Sequence, residues 1–148
     1  MIVEMTTLRY SDIPDQWALC MQADCPLASR CLRYHAASVL PKHVRQHVMV
    51  LPSARTADGC KSFVADQPQQ VAYGMSRITE GMNPWLARDV HADLFELFGS
   101  RATFYRKSYG SPIAPDMQER VAAVLRSHGV SAPPRFDSVK EAYYFPEG

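Results

Sequence analysis

Residues 83–129 read NPWLARDVHADLFELFGSRATFYRKSYGSPIAPDMQERVAAVLRSHG, and the punctuation of this stretch implies a helical second half. Asn83 is an N-cap residue with Pro84 at the first helical position, where a missing N–H costs nothing. Trp85, Leu86, Val90, Leu94, Leu97 and Phe98 then recur at helical spacing, and Gly99 ends the run. A shorter segment spans 100–109 and stops at Gly110. Pro115 opens a further helix with Met117, Val121, Val124 and Leu125 on its apolar side, closed by Gly129. Beyond it the tail, 131–148, is rich in proline and then aromatic at Phe136, Tyr143, Tyr144 and Phe145, a pattern that fits a returning strand or a docked arm.

Upstream of Asn83 the signals are shorter. Residues from about 12 to 40 read as helical: Asp12 caps a short helix carrying Trp17, Leu19 and Cys20, and a second starts near Pro26 with Cys25 at its cap. Leu27, Cys31, Tyr34, Ala37 and Leu40 share the buried side of that second helix, and Pro41 stops it. Residues 48–51 are a short strand candidate, and 60–64 another, with Asp58-Gly59 a tight-turn pair just before Cys60. Residues 71–78 fit strand or helix equally. The expected fold is therefore mainly α with a small β element, an α+β class. It divides into a cysteine-bearing lobe over 1–82 and a helical lobe over 83–148.

The whole chain has 148 residues, 47% hydrophobic and 21% charged, with a formal net charge of +1. These values suit a folded globular chain and exclude wholesale disorder or a grossly basic coat protein. A local basic face remains compatible with near-neutral charge. Glu4, Arg9, Asp12 and Asp15 interrupt any apolar leader, and no apolar run approaches the roughly 20 residues that span a bilayer. A cytoplasmic location without membrane contact is the expectation.

In that compartment clustered cysteines more often bind metal or do redox chemistry than form disulfides. The four are Cys20-x4-Cys25-x5-Cys31 and, further on, Cys60. Four soft thiolates complete a tetrahedral zinc site or hold a 4Fe–4S cluster. No close C-x2-C pair is present to grip a single ion. Spacings of four and five suit a larger object, and Pro26 after Cys25 stiffens the loop. The competing interpretation is four independent buried thiols, since free cysteine is among the most buried residue types. His35 stands one helical turn after Cys31 and is a further candidate ligand. His43 and His47 lack the acidic residue of a metalloprotease helix and read as surface residues. No nucleophile elbow, phosphate loop or dinucleotide fingerprint occurs, so no catalytic residue is assigned.

Residues 100–130, SRATFYRKSYGSPIAPDMQERVAAVLRSHGV, resemble the DNA-binding headpiece of LacI-type repressors. Ser100, Thr103, Arg106 and Gly110, then Ile113, Pro115, Asp116, Glu119, Arg120, Val121 and Gly129, fall at matching places. The resemblance implies a helix-turn-helix in which Ser100 caps a recognition helix. Arg101 would donate to guanine, Arg106 and Lys107 would hold phosphates or bases, and Arg120 would contact the backbone. Phe95 and Tyr105 stand where that family has small residues, and the repressors' large ligand-binding domain has no counterpart. The runs CMQADCPLASRCLRYHA and TFYRKSYG, with Phe136-Asp137 and the aromatic tail, also resemble a family of small Bacteroidota proteins. That likeness spans most of the chain and implies a shared fold rather than an activity.

The combined expectation is a small DNA-binding transcription regulator organised by a four-cysteine metal or iron–sulfur site that responds to redox state. Reading two half-sites would require a homodimer. The alternatives are a zinc-stabilised adaptor that docks a protein partner through the aromatic tail, or an iron–sulfur redox protein.

Overall fold

The computed structural model describes residues 7–146 and shows a mixed α+β protein. It comprises two compact units. One contains residues up to Pro68 together with the chain end from Phe145, and the other runs from Gln69 to Tyr144. The boundary thus falls before the expected 82/83 position. The reason is strand β3, Gln69–Tyr73, whose backbone pairs wholly within the second unit.

In that second unit the helix signals act as anticipated. Helix α2 spans Pro84–Leu97, and the Asn83 side chain accepts a hydrogen bond from the Leu86 N–H at 2.8 Å. Helix α3 spans Arg101–Ser108, capped by Ser100, whose Oγ accepts from the Thr103 N–H at 3.1 Å. Helix α4 spans Pro115–Ser127 with proline in its first turn. The stretch between α3 and α4 is more than a turn. Pro112–Ile113 form strand β4, which lies antiparallel to β3, with Ala72 opposite Ile113. On the other side of β3 runs β5, Ser138–Ala142, also antiparallel, so the tail returns as a strand and the sheet order is β4-β3-β5.

Val90, Leu94, Phe104, Ile113, Val121 and Leu125 fill the core of this unit. Phe104 is its hub, edge-on to Phe95 and Tyr105 at 5.2 and 5.3 Å between ring centres. Gly74 follows β3 with φ +87, and the Asp137 side chain occupies the place where a Cβ would project. The same carboxylate accepts from the Ser76 hydroxyl at 2.8 Å, so glycine lets the strand end sit directly against its partner.

The cysteine-bearing unit has far less regular structure. Among its described residues the one α-helix, α1, is Leu32–Ser38, and the one hairpin pairs β1, Arg55–Thr56, with β2, Gly59–Cys60. The helix expected from Asp12 is only a 3-10 turn at Tyr10–Asp12. Pro14 explains the stop, because the residue before proline is driven out of the helical region, and Ile13 is extended at φ −81 and ψ 123. Leu19 instead pairs with Met49 in a parallel bridge. The second expected helix begins later than Pro26. Ala28–Arg30 make a single 3-10 turn, and Cys31 is extended and bridges Ala65. Cys31 therefore stands at the N-cap of α1 and not on a helical stripe. The candidate strand at 60–64 shortens to Gly59–Cys60 because the chain turns again, with the Phe63 N–H on the Cys60 carbonyl at 3.2 Å. Leu8, Ile13, Trp17, Leu19, Leu32 and Ala36 are the buried apolar residues of this unit. Among the described residues no helix is long and apolar enough to cross a membrane.

Candidate cysteine site

The local chain geometry turns four separated cysteines toward one place. Cys20 follows the Leu19–Met49 bridge, and its N–H donates to the Arg33 carbonyl at 3.1 Å. Cys25 sits in a turn closed by its N–H on the Gln22 carbonyl at 3.1 Å. Cys31 is held extended at the start of α1, and Cys60 lies on β2 opposite Arg55. All four are free thiols, half-buried. Together with Arg33 and Arg55 they line a single cavity whose apolar wall includes Leu27, Val50 and Phe63. Among the described residues, no three His, Cys, Asp or Glu side chains are gathered closely enough to hold one metal ion as they stand.

Nothing in the sequence around Arg33 marks it, yet it is the most unusual residue of the site. It is 6% exposed. Its Nε donates to the Ser62 carbonyl and one terminal nitrogen to the Ala18 carbonyl, both at 2.7 Å. Its guanidinium stacks 4.3 Å from the centre of the Trp17 ring. Trp17 is fixed in turn by its indole N–H on the Pro146 carbonyl at 2.9 Å and by an edge-on contact with Phe145 at 4.9 Å. Burial pushes the Arg33 guanidinium below its ordinary value, and charge on Cys31, Cys60 and Cys20 opposes that shift. Among the described residues no carboxylate stands within ion-pair distance of it. A buried cation without a counter-ion is costly, and the anion-forming groups it meets are cysteine sulfurs.

Arg55 has a different setting. It is part-exposed and donates to Asp24 at 3.1 Å and to the Gln22 side chain at 3.3 Å. The hydrogen bond to Asp24 raises the arginine, and the same bond holds the Asp24 carboxyl below the usual range. Charge on Cys25 and Cys20 also favours the Arg55 cation. The Asp58-Gly59 pair marks a turn here but not this register: the loop residues are Ala57 and Asp58, so Thr56 pairs with Gly59 and Arg55 comes to lie across from Cys60. His35, the further candidate ligand, is engaged elsewhere. Its Nδ1 lies 2.9 Å from Asp66 Oδ1, and it is not part of the cavity wall.

The residues expected to read DNA lie on α3 and α4. Ser100 is the cap, and Thr103 accepts from both the Ser100 hydroxyl at 3.0 Å and the Arg106 guanidinium at 3.1 Å. Arg101 lies over the rings of Phe95 and Tyr105, 5.6 and 5.5 Å from their centres. Lys107 donates to the Pro112 carbonyl at 2.7 Å. Arg106 and Arg120 are exposed. An open groove between α2 and α3 is lined by Ala87, Arg88, His91, Phe95, Arg101 and Tyr105. The aromatic tail is in use within the chain: Phe145 packs on Trp17.

These features define an α+β protein with a cysteine-lined, arginine-braced cavity in one unit and a sheet-backed helical layer in the other. The chain matches the family DUF6078, a family of unknown function, over residues 1–145, and it belongs to that family. No curated protein and no solved structure matches it.

Proposed function

We propose that this protein is a small regulator whose N-terminal unit holds an iron–sulfur centre on Cys20, Cys25, Cys31 and Cys60. The observation that carries the reading is the convergence of all four cysteines on one cavity beside a buried arginine that has no carboxylate partner among the described residues. Four thiolates bring the negative charge that such a cation requires, and a polynuclear cluster suits ligands spread around a cavity with spacings of four and five residues. The test is anaerobic purification followed by absorption spectroscopy with iron, zinc and sulfide analysis. Brown protein with iron and acid-labile sulfide is the expected result. Colourless protein with one zinc moves the site to a structural role and favours the adaptor reading. Protein that takes neither defeats the proposal.

DNA binding through α3 is the second element of the proposal. Its support is that the eight residues Arg101–Ser108 carry three cationic side chains and no acidic one, on a helix held at its start by Ser100. A helix with this charge should shift duplex DNA in a gel at low salt, with an affinity that falls steeply as salt rises. The substitutions Arg101→Ala and Arg106→Ala should weaken it together. Binding unchanged by either one would remove α3 from the interface.

A further inference from the structure

We infer that Arg33, with Arg55 in a lesser part, is the counter-charge built into the cysteine cavity and sets the reduction potential of the centre held there. This inference rests on the iron–sulfur reading of the cavity. Arg33 follows Cys31 by two residues, and the two carbonyls it grips belong to Ala18, two residues before Cys20, and Ser62, two residues after Cys60. One guanidinium therefore ties together three of the four cysteine segments. Arg55 ties the fourth through Asp24 and Gln22, the neighbours of Cys25. The carbonyls solvate Arg33 but do not neutralise it, and arginine does not discharge by losing its proton. Trp17 on one face and the carbonyl anchors on the guanidinium edge keep the charge in place.

A cation fixed beside the cysteines would lower the cost of adding one more electron to a cluster held on them. The couple is a one-electron reduction of the cluster by an external low-potential reductant, with no bond made or broken in the protein. Removing the cation disfavours the reduced form and moves the potential to more negative values. Arg55 shares its charge with Asp24 and faces solvent, so its effect is the smaller one.

The test uses the full chain, reconstituted without oxygen from ferrous iron and sulfide and titrated with dithionite while absorbance or electron paramagnetic resonance is followed. Arg33→Met is expected to weaken reduction about tenfold, a shift of about 59 mV for one electron. Arg33→Lys keeps the charge and should restore most of the wild-type potential. Arg55→Gln should shift it in the same direction by less, and it provides the measurement if Arg33→Met does not fold. Variants that load a cluster and titrate at the wild-type potential overturn the inference and leave the centre standing. A lysine variant as displaced as the methionine one overturns the charge argument. Wild-type protein that takes up no iron and sulfide overturns the inference and the iron–sulfur reading together.

Discussion

The two units of this chain solve the stability problem by different means. The second unit buries a run of large apolar side chains between three helices and a three-stranded sheet. Among the described residues the first has one seven-residue helix and one hairpin with two residues in each strand, and its segments are connected through arginine hydrogen bonds, isolated bridges and a tryptophan. Apolar burial is non-directional and tolerant, so a sequence built on it is robust. A polar brace is directional, and it fails as a whole when one member is lost. Residues committed in this way keep four cysteines on the wall of one cavity with little regular structure behind them. The contrast suggests that the first unit is shaped around its cavity, and the second around its own core.

The largest effect should come from the hub of the apolar unit. Phe104 is 1% exposed and touches four neighbouring rings. Phe104→Ala should cost about 3–5 kcal/mol, the range for a buried aromatic truncated in a packed core. Chemical denaturation followed by circular dichroism measures it, and a loss under about 1 kcal/mol would show that the second unit is not held by this packing.

Next in size is Arg33→Met in the other unit. The substitution keeps much of the side-chain volume and deletes two short hydrogen bonds from a charged donor. Such bonds contribute about 1.5–3 kcal/mol each, and part is returned because a buried charge is also removed. The expected net loss is about 2–3 kcal/mol. Amide hydrogen exchange should place it in residues 7–68 and leave Gln69–Tyr144 protected. Equal loss of protection in both units would erase the distinction drawn between them.

The same contrast governs what could be read from the sequence. Asn83-Pro84, Ser100, Pro115, Gly99, Gly110 and Gly129 are local devices that act within a turn or two, and the three helices they delimit follow from them directly. Strand β4 was invisible because two residues, Pro112 and Ile113, acquire their pairing only from β3, which is distant in sequence. In the first unit the decisive contacts are all non-local. Cys31 has the spacing of a helical stripe, but its bridge to Ala65 outweighs a weak helical propensity. The four cysteines were legible as a group because thiols are scarce and chemically alike. Arg33 was not, since nothing in the run Cys-Leu-Arg-Tyr-His says that a charged side chain turns inward to carbonyls at Ala18 and Ser62.

Helix caps offer a finer comparison inside the apolar unit. Asn83 and Ser100 each accept a backbone N–H at the start of a helix. Alanine at either position should cost about 1 kcal/mol, the usual value for a lost N-cap. Ser100→Ala also removes the hydroxyl that donates to Thr103, next to Arg106. If α3 contacts DNA, this variant should weaken the gel shift while Asn83→Ala, at equal cost in stability, leaves it unchanged.

The smallest expected effect tests whether the apolar unit carries an electrostatic cost of its own. His91 stacks on Phe95 and meets Phe104 edge-on, at 6.0 and 5.6 Å between ring centres. Burial holds it below its ordinary value of 6.5. The sign follows from proton binding. As pH falls through the ordinary histidine range, the unfolded chain takes up a proton that the folded chain still refuses, so the unfolded state gains relative stability. The protein should lose stability below about pH 6.5 from this group, and the loss should level off once the folded histidine also protonates. Above the ordinary range His91 is neutral in both states and contributes nothing to the pH dependence. Denaturation midpoints compared at about pH 5 and pH 8 for wild type and His91→Gln isolate the effect, because the other histidines are common to both. A flatter acid limb in the variant is the expected result. Identical limbs would mean that water reaches the ring through the groove beside Arg88 and Arg101, and that the apolar layer ends at Phe95.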